Sequence, residues 1–247
     1  MYQKYALDAR GVDAQALRRS TLTEGMPMKF YFSPLACSLS TRIALYEAGA
    51  EVEFFEVDSK TKRVSDGSDF RSVNPLGLVP ALVDEAGDVL TENAAILQYI
   101  VEAFPERALA PTDRLGRARL RQWLSFIGTE LHKALYVPLL DRNAPEAAKA
   151  YALSKAQSRL AHVAAGLTGR DHLLGAFSVA DAYLFAVTNW SMVTPVDLEP
   201  WPVISDYRAR LMQRPSVARA FAEERDLYAA ELARAREPMP APVAAIG

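Results

Sequence analysis

The stretch that decides the fold is Ser33-Pro-Leu-Ala-Cys-Ser-Leu-Ser-Thr-Arg42, which follows the short apolar run Met28-Lys-Phe-Tyr-Phe32. Apolar residues then recur at helical spacing from Leu39 to Ala50. This pattern predicts a strand, a turn and a helix, with Cys37 at the helix entrance. Unpaired N–H groups and the positive end of the helix dipole meet there, so we expect the pKa of the thiol to fall below its free value of about 8.5. The alternative is a small buried apolar residue, the commoner fate of a lone cysteine.

Composition limits the class of protein. The chain has 247 residues, half of them apolar, which is enough for a full core and predicts two modest domains. A net charge of -2 gives no electrostatic case for a nucleic-acid partner or an anionic membrane. A single cysteine excludes an internal disulfide and suits a reducing compartment, so a cytoplasmic location is expected. No run approaches about 18 consecutive apolar residues, so no membrane span is predicted.

The order of strand and helix signals predicts an α/β part followed by an all-α part. Residues 28–105 combine strands, a hairpin and helices, which is typical of a small unit with a mixed sheet. A linker, 106–113, precedes residues 114–236, where every periodic segment is helical, including one predicted helix from Glu146 to Leu167. Two terminal segments are predicted to add little to the fold, a poorly ordered extension at 1–27 and a disordered tail at 237–247.

A second informative stretch is Asn74-Pro-Leu-Gly-Leu-Val-Pro80. Two prolines and a glycine predict a turn that leads directly into a strand. A cis bond before Pro80 would turn the N–H and C=O groups of Val79 outward, where they could hold an extended peptide. The alternative is an ordinary tight loop.

The third stretch is Leu90-Thr-Glu-Asn93. Thr91 is predicted to cap the following helix. Glu92 and Asn93 then place a carboxylate and an amide beside exposed backbone donors. An amino-acid head group would set its ammonium on Glu92 and its carboxylate on the N–H groups. The alternative is only an acidic residue in the first turn of a helix.

Together these stretches and the basic loop Lys60-Thr-Lys-Arg63 resemble the glutathione-binding half of a glutathione transferase. The helical half adds Trp123-Leu-Ser-Phe-Ile-Gly-Thr-Glu-Leu-His-Lys133, which resembles the bacterial beta class. The resemblance covers about residues 28–230. It implies a thioredoxin-like domain, an all-helical second domain and a homodimer that uses glutathione as co-substrate without a metal. The second substrate would be a small electrophile or a disulfide.

The resemblance also implies roles for single residues. The cysteine at the Cys37 position contacts the glutathione sulfur and can form a mixed disulfide with it, and His132 lies near the same sulfur. In this family the site usually has Tyr where this chain has Phe32, which leaves Cys37, the helix terminus and Ser38 as sulfur partners. The residues that would hold the tripeptide are Lys62, Val79 through its backbone, Glu92, Asn93, Ser125 and Lys133.

Helical spacing agrees with a groove at this place. Ser125 and His132 are seven residues apart, which puts them within about 20° of one helix face. Gly128 and Thr129 lie between them and are small enough to leave a groove. Asn93 is a second departure from the family pattern, which usually has Ser or Gly there.

Two chemistries and one non-catalytic function remain open. Bound glutathione could attack an electrophile directly, or Cys37 could attack a mixed disulfide in thiol–disulfide exchange. A non-catalytic glutathione-binding or interaction protein could use the same fold. The large apolar residues that could form an electrophile pocket, which we predict to be core, are Leu135, Tyr136 and Trp190. Ser178 and Asp181 have the spacing of a helix capping box.

Overall fold

A four-stranded mixed sheet forms the first part of the computed structural model, which describes residues 26–236. The strand order is β2-β1-β3-β4, with β1 parallel to β2 and antiparallel to β3. The predicted strands and hairpin are thereby confirmed. The strands are β1 (Met28–Phe32), β2 (Val52–Glu56), β3 (Ala81–Val83) and β4 (Val89–Thr91).

Alternation along β1 separates two apolar clusters, as a strand requires. Phe30 and Phe32 face the main core, which continues into the helical part of the chain. Tyr31 points to the other side, where its ring packs against Phe55 and Phe70. The single strand that precedes the Cys37 turn is thus anchored on both faces.

From residue 104 to residue 236 every regular element is helical, as the sequence predicts. A short 3₁₀ segment, Asn189–Val193, follows α7. The α-helices of the described residues are α1 (Leu39–Ala48), α2 (Asn93–Ala103), α3 (Arg114–Phe126), α4 (Val137–Leu140), α5 (Glu146–Ser154), α6 (Ala156–Leu167), α7 (Val179–Thr188), α8 (Pro202–Met212) and α9 (Pro215–Arg236).

Two local predictions are wrong. The predicted helix from Glu146 to Leu167 is two helices, because the Lys155 N–H bonds to the Ala152 carbonyl three residues back, which tightens and ends α5. Thr91 does not cap α2. It ends β4, and Glu92 occupies the cap position without a side-chain bond to the helix.

A ten-residue π-helical segment, Ile127–Tyr136, lies between α3 and α4. Its last bond runs from the Val137 N–H to the His132 carbonyl, five residues back. Pro138 gives a physical reason, because it has no N–H to donate and its ring would clash with the carbonyl four residues earlier in an α-helix. The wider turn contains His132.

Helix α1 joins the two parts of the chain, since it packs against α2 of the first part and against α7 and α9 of the second. One continuous apolar cluster includes residues of the sheet and of the helical part, such as Phe30 and Phe185. The division into 28–105, 106–113 and 114–236 remains a proposal. The predicted tail lies outside the described residues, and so does the predicted extension apart from Met26 and Pro27.

Candidate functional site

Two adjoining cavities meet at the start of α1. The larger has a volume of about 640 Å³ and a mostly apolar wall, and the smaller has a volume of about 240 Å³. Their shared wall includes Cys37, Val79, His132 and Lys133. The structure therefore brings the three separate sequence motifs and the helical stretch to one place.

Cys37 lines both cavities but is only 6% exposed. Its Sγ lies 3.8 Å from the Val79 carbonyl oxygen, to which the thiol donates a weak hydrogen bond. Burial raises the pKa of the Cys37 thiol to about 12, although Lys133 and the N–H groups of Cys37 and Ser38 act in the opposite direction. The predicted low pKa is therefore wrong, because desolvation outweighs the helix start and the nearby cation.

Ser38, the other predicted sulfur partner, can act on a sulfur only through its backbone. The Ser38 side chain is fully buried, donates to the Ser33 carbonyl (3.1 Å) and accepts from the Ser33 N–H (3.3 Å). These two bonds close the turn that carries Cys37. Only the backbone N–H of Ser38 acts on the sulfur.

His132 is a neutral imidazole in the cavity wall. Its Nδ1 lies 2.9 Å from the Tyr183 hydroxyl, and its ring packs edge-on against Trp190, with centroids 5.0 Å apart. Burial and the neighbouring Lys133 lower the pKa of His132 to about 4. Its other ring nitrogen, Nε2, bonds to no group in the described part of the chain, which leaves it for a ligand.

The loop before β3 completes the same wall. The Val79–Pro80 peptide bond is cis, as the sequence argument considered. Asn74 braces this loop, since its Nδ2 donates to the Leu78 carbonyl (2.7 Å). Gly77 has φ +61°, and a Cβ there would lie 3.3 Å from Lys62 Cδ. The stem of Lys62 thus lies along the loop, and Lys62 lines the larger cavity.

Glu92 and Asn93 line the smaller cavity at the start of α2. Glu92 is exposed and has φ +65°, a left-handed conformation that is costly for a residue other than glycine and is typical of functional sites. The Asn93 side chain is buried and already bonded to Ser40 and Thr41 of α1. The expectation that this side chain holds the tripeptide is therefore corrected, since only the Asn93 backbone is left for a ligand.

Ser125, at the end of α3, lines the smaller cavity together with Gly128 and Thr129, where the sequence predicts a groove. Ser125 and Lys133 are both exposed. The Thr129 hydroxyl turns away and donates to the Ser125 carbonyl (2.9 Å).

Two aromatic residues also line the cavities: Tyr183, which the sequence does not single out, and Trp190, which is predicted to be core and is both buried and part of the cavity wall. Tyr183, on α7, lines the smaller cavity and bonds to His132. Trp190 lines the larger one, and its Nε1 donates to the Leu35 carbonyl (2.9 Å). Tyr136 and Leu135 are fully buried core, as predicted. No sequence signal separates Tyr183 from the apolar residues around it, because every residue of α7 is buried.

Charge and hydropathy add two findings. Among residues 26–236 no three His, Cys, Asp or Glu side chains are grouped as metal ligands. Over the same residues no helix combines the length and the apolar character needed to cross a bilayer.

A sheet of this order with a cis-proline loop beside a cysteine at a helix start, joined to a helical domain, defines a thioredoxin-like domain with an all-helical partner. Family models agree with this class. The model "Glutathione S-transferase, N-terminal domain" matches residues 26–102, and "Glutathione S-transferase, C-terminal domain" matches residues 126–215. The chain belongs to the glutathione S-transferase family.

Individual relatives support the same assignment. Glutathione S-transferase GstA of Escherichia coli O157:H7 is 37% identical over 199 residues, which are 80% of this chain and 98% of that protein. A sphingomonad glutathione S-transferase complexed with glutathione is 43% identical with a TM-score of 0.75, over 79% of this chain and 98% of the other. The bacterial beta class enzyme of Sphingomonas chungbukensis gives the same four values.

Proposed function

We propose that this protein binds glutathione with its γ-glutamyl end in the smaller cavity and its sulfur at the wall that the two cavities share, and that it joins this sulfur to a small apolar electrophile in the larger cavity. One observation carries the proposal: Cys37, Val79 and His132 form the wall that the two cavities share. A sulfur at this wall would be within reach of a second substrate in the larger cavity.

Each part of the tripeptide has a chemically suitable partner. The N–H groups of Asn93 and Ala94 lie in the first turn of α2 and lack intrahelical acceptors, which suits a carboxylate, while Glu92 suits the ammonium group beside it. The backbone of Val79 offers strand-like bonds to the middle of the peptide. Lys62, in the larger cavity, suits the terminal carboxylate.

Ser125 and Lys133 border the same ligand. Ser125 is an exposed hydroxyl in the wall of the smaller cavity and can bond to the γ-glutamyl part. Lys133 lies at the shared wall, where its charge favours an anionic sulfur, as its effect on the Cys37 thiol illustrates. The sphingomonad relative whose structure holds glutathione supports this ligand.

Conjugation needs the glutathione thiolate, since the neutral thiol is a poor nucleophile. The backbone N–H groups at Cys37 and Ser38, the cation of Lys133 and an N–H on His132 would stabilise the anionic sulfur. The thiolate then forms a C–S bond, and the leaving group departs with its electron pair.

Thiol–disulfide exchange through Cys37 is less favoured than conjugation. An attacking cysteine must be a thiolate, and burial raises the pKa of Cys37 to about 12. The thiol is instead suited to donate a hydrogen bond to the glutathione sulfur.

Apolar residues line the proposed electrophile site. Trp190 and Leu35 line its inner wall, while Met192 and Val193 at its edge are 70% and 67% exposed. We propose that the protein acts as a cytoplasmic homodimer, by analogy with the family.

Calorimetry of glutathione binding, followed by an assay with 1-chloro-2,4-dinitrobenzene, tests the proposal. We expect saturable binding and turnover. The sulfur analogue S-methylglutathione serves as a control that should bind but not react. Binding without turnover of any electrophile would favour a non-catalytic binding protein, and absence of binding would contradict both functions.

A further inference from the structure

Tyr183 of α7 is buried against one ring nitrogen of His132: its hydroxyl lies 2.9 Å from Nδ1. We propose that Tyr183 is a positioning residue that holds neutral His132 in the tautomer with its proton on Nε2. This deepens the proposed function, because that proton is the one that would reach the glutathione sulfur.

The Tyr183 hydroxyl has one hydrogen-bond partner among the described residues, His132 Nδ1 at 2.9 Å. Tyr183 is buried, and a buried O–H is costly to leave without an acceptor, so this hydroxyl donates its proton to Nδ1. Burial, Cys37 and Glu92 raise the pKa of Tyr183, so the phenol keeps this proton at neutral pH.

A neutral imidazole that accepts at Nδ1 must carry its proton at Nε2. Nε2 is the nitrogen without a partner in the described residues, and His132 lines both cavities. The charged and titratable groups around this ring are Lys133, the Cys37 thiol and Tyr183, with Glu92 farther along the same wall. Burial keeps the ring neutral by lowering the pKa of His132, and Lys133 adds to this effect, because a second positive charge beside it is unfavourable.

The direct test is the tautomer of His132 in the ligand-free, full-length protein. Long-range ¹H–¹⁵N NMR spectra of protein labelled at its three histidines distinguish the protonated ring nitrogen from the bare one, and the His132→Gln variant assigns the signals. We expect the Nε2–H form in the wild type and a mixture of both tautomers in Tyr183→Phe. An Nδ1–H form in the wild type would overturn the proposal even if the variant fails to fold.

A second readout connects the tautomer to the sulfur. Ultraviolet difference spectra of bound glutathione, recorded against pH, report the pKa of its thiol. For Tyr183→Phe we expect a higher thiol pKa and a loss of about tenfold in kcat/KM, the effect of one weakened hydrogen bond to a charged group. Tyr99→Phe removes a hydroxyl that bonds to Asp84, away from both cavities, and should match the wild type.

The outcomes separate the two proposals. If Tyr183→Phe changes neither the tautomer nor the thiol pKa, the positioning role is wrong. If the wild type binds no glutathione, the proposed function fails, while the NMR spectrum of the ligand-free protein still decides the tautomer.

Discussion

At the scale of single residues, Cys37 shows how burial can reverse an expectation from local structure. The helix start and Lys133 do favour the thiolate, as the sequence argument assumes. The thiol is nevertheless only 6% exposed, and desolvation is the larger effect. The residue is thus suited to donate a hydrogen bond to a ligand sulfur and poorly suited to attack one.

The first prediction concerns Cys37→Ala. Conjugation of glutathione to an electrophile should persist, with kcat/KM reduced by up to about tenfold for the lost hydrogen bond to a charged sulfur. Exchange with a mixed disulfide should disappear. Steady-state assays of both reactions check this, and loss of conjugation in a folded variant would give Cys37 a more direct role.

His132 makes stability depend on pH. The pKa of His132 in the folded protein is about 4, below the usual value of about 6.5. Its full contribution to the free energy of unfolding is therefore present above about pH 6.5 and is lost as the pH falls toward 4, because the unfolded state takes up the proton first. The loss should be at most about 3 kcal/mol.

Urea unfolding at several pH values measures this effect. His132→Asn should show a shallower decline than the wild type over the same range, because an amide does not titrate there. Parallel curves for the two proteins would mean that His132 protonates as easily in the folded state as in the unfolded one.

Local chemistry decides which site residues the sequence can predict. Cys37 and Val79 can be assigned to the site from the sequence because the residues next to them have the patterns of a helix start and of a proline turn. The Asn93 side chain was misassigned because its partners, Ser40 and Thr41, lie more than 50 positions away. A buried hydrogen bond between residues so far apart in the chain produces no periodic pattern in the sequence.

At the level of elements, the π-helical segment gives the helical wall of the site its shape. The seven-residue spacing of Ser125 and His132 suggested one α-helical face, but the wider turn lies between them. Both residues still reach the smaller cavity. The helical register could not be predicted, because the apolar pattern of the segment is compatible with an α-helix and only Pro138 indicates otherwise.

Gly166 tests the contact between α6 and α3. A Cβ there would lie 2.6 Å from Trp123 Cζ2 and 2.7 Å from Cη2, too close for an indole ring to accommodate without moving. Gly166→Ala should therefore lower the free energy of unfolding by about 1–2 kcal/mol, despite the better helix propensity of alanine. Gly128→Ala is the matched control, since its Cβ would meet only Tyr183, at ordinary distances of 3.5 Å from the hydroxyl oxygen and 3.8 Å from Cε1. Equal stabilities of the two variants in urea would contradict this packing.

The capping box at the start of α7 is confirmed as a structural feature. The Ser178 N–H and hydroxyl both donate to Asp181 Oδ2, at 2.9 and 2.8 Å. Ser178→Ala should lower the free energy of unfolding by about 1 kcal/mol, whereas Ser154→Ala, on an exposed helix end, should change it little. Thermal and urea unfolding check this. A neutral effect of Ser178→Ala would show that Asp181 alone maintains the cap.

At the scale of the whole molecule, Arg42 of α1 connects the sheet to α9. Its guanidinium lies 4.1 Å from the Phe32 ring centroid and 4.3 Å from that of Phe54. Its Nε donates to Glu224 Oε1 at 2.9 Å, and the other oxygen of Glu224 accepts from the Leu35 N–H at 2.8 Å. Since Leu35 lines the larger cavity, the same carboxyl group holds the domain contact and the cavity wall.

Breaking this contact should destabilise the whole protein. Burial raises the pKa of Glu224 to about 8, so loss of Arg42 is partly relieved by protonation. We expect Arg42→Met to cost about 3 kcal/mol, near the lower end for a broken buried pair. The double variant Arg42→Met, Glu224→Gln should lose less free energy of unfolding than the sum of the losses in the two single variants. Additive costs in urea unfolding would show that the two side chains act independently.

A crystal structure of the protein with glutathione would show directly whether the shared wall holds the sulfur. We expect the sulfur at the wall shared by the two cavities, within hydrogen-bonding distance of His132 Nε2 and Cys37 Sγ, with the γ-glutamyl group at the start of α2. Glutathione bound elsewhere, or with its sulfur turned away from both side chains, would show that this wall is not the reaction site.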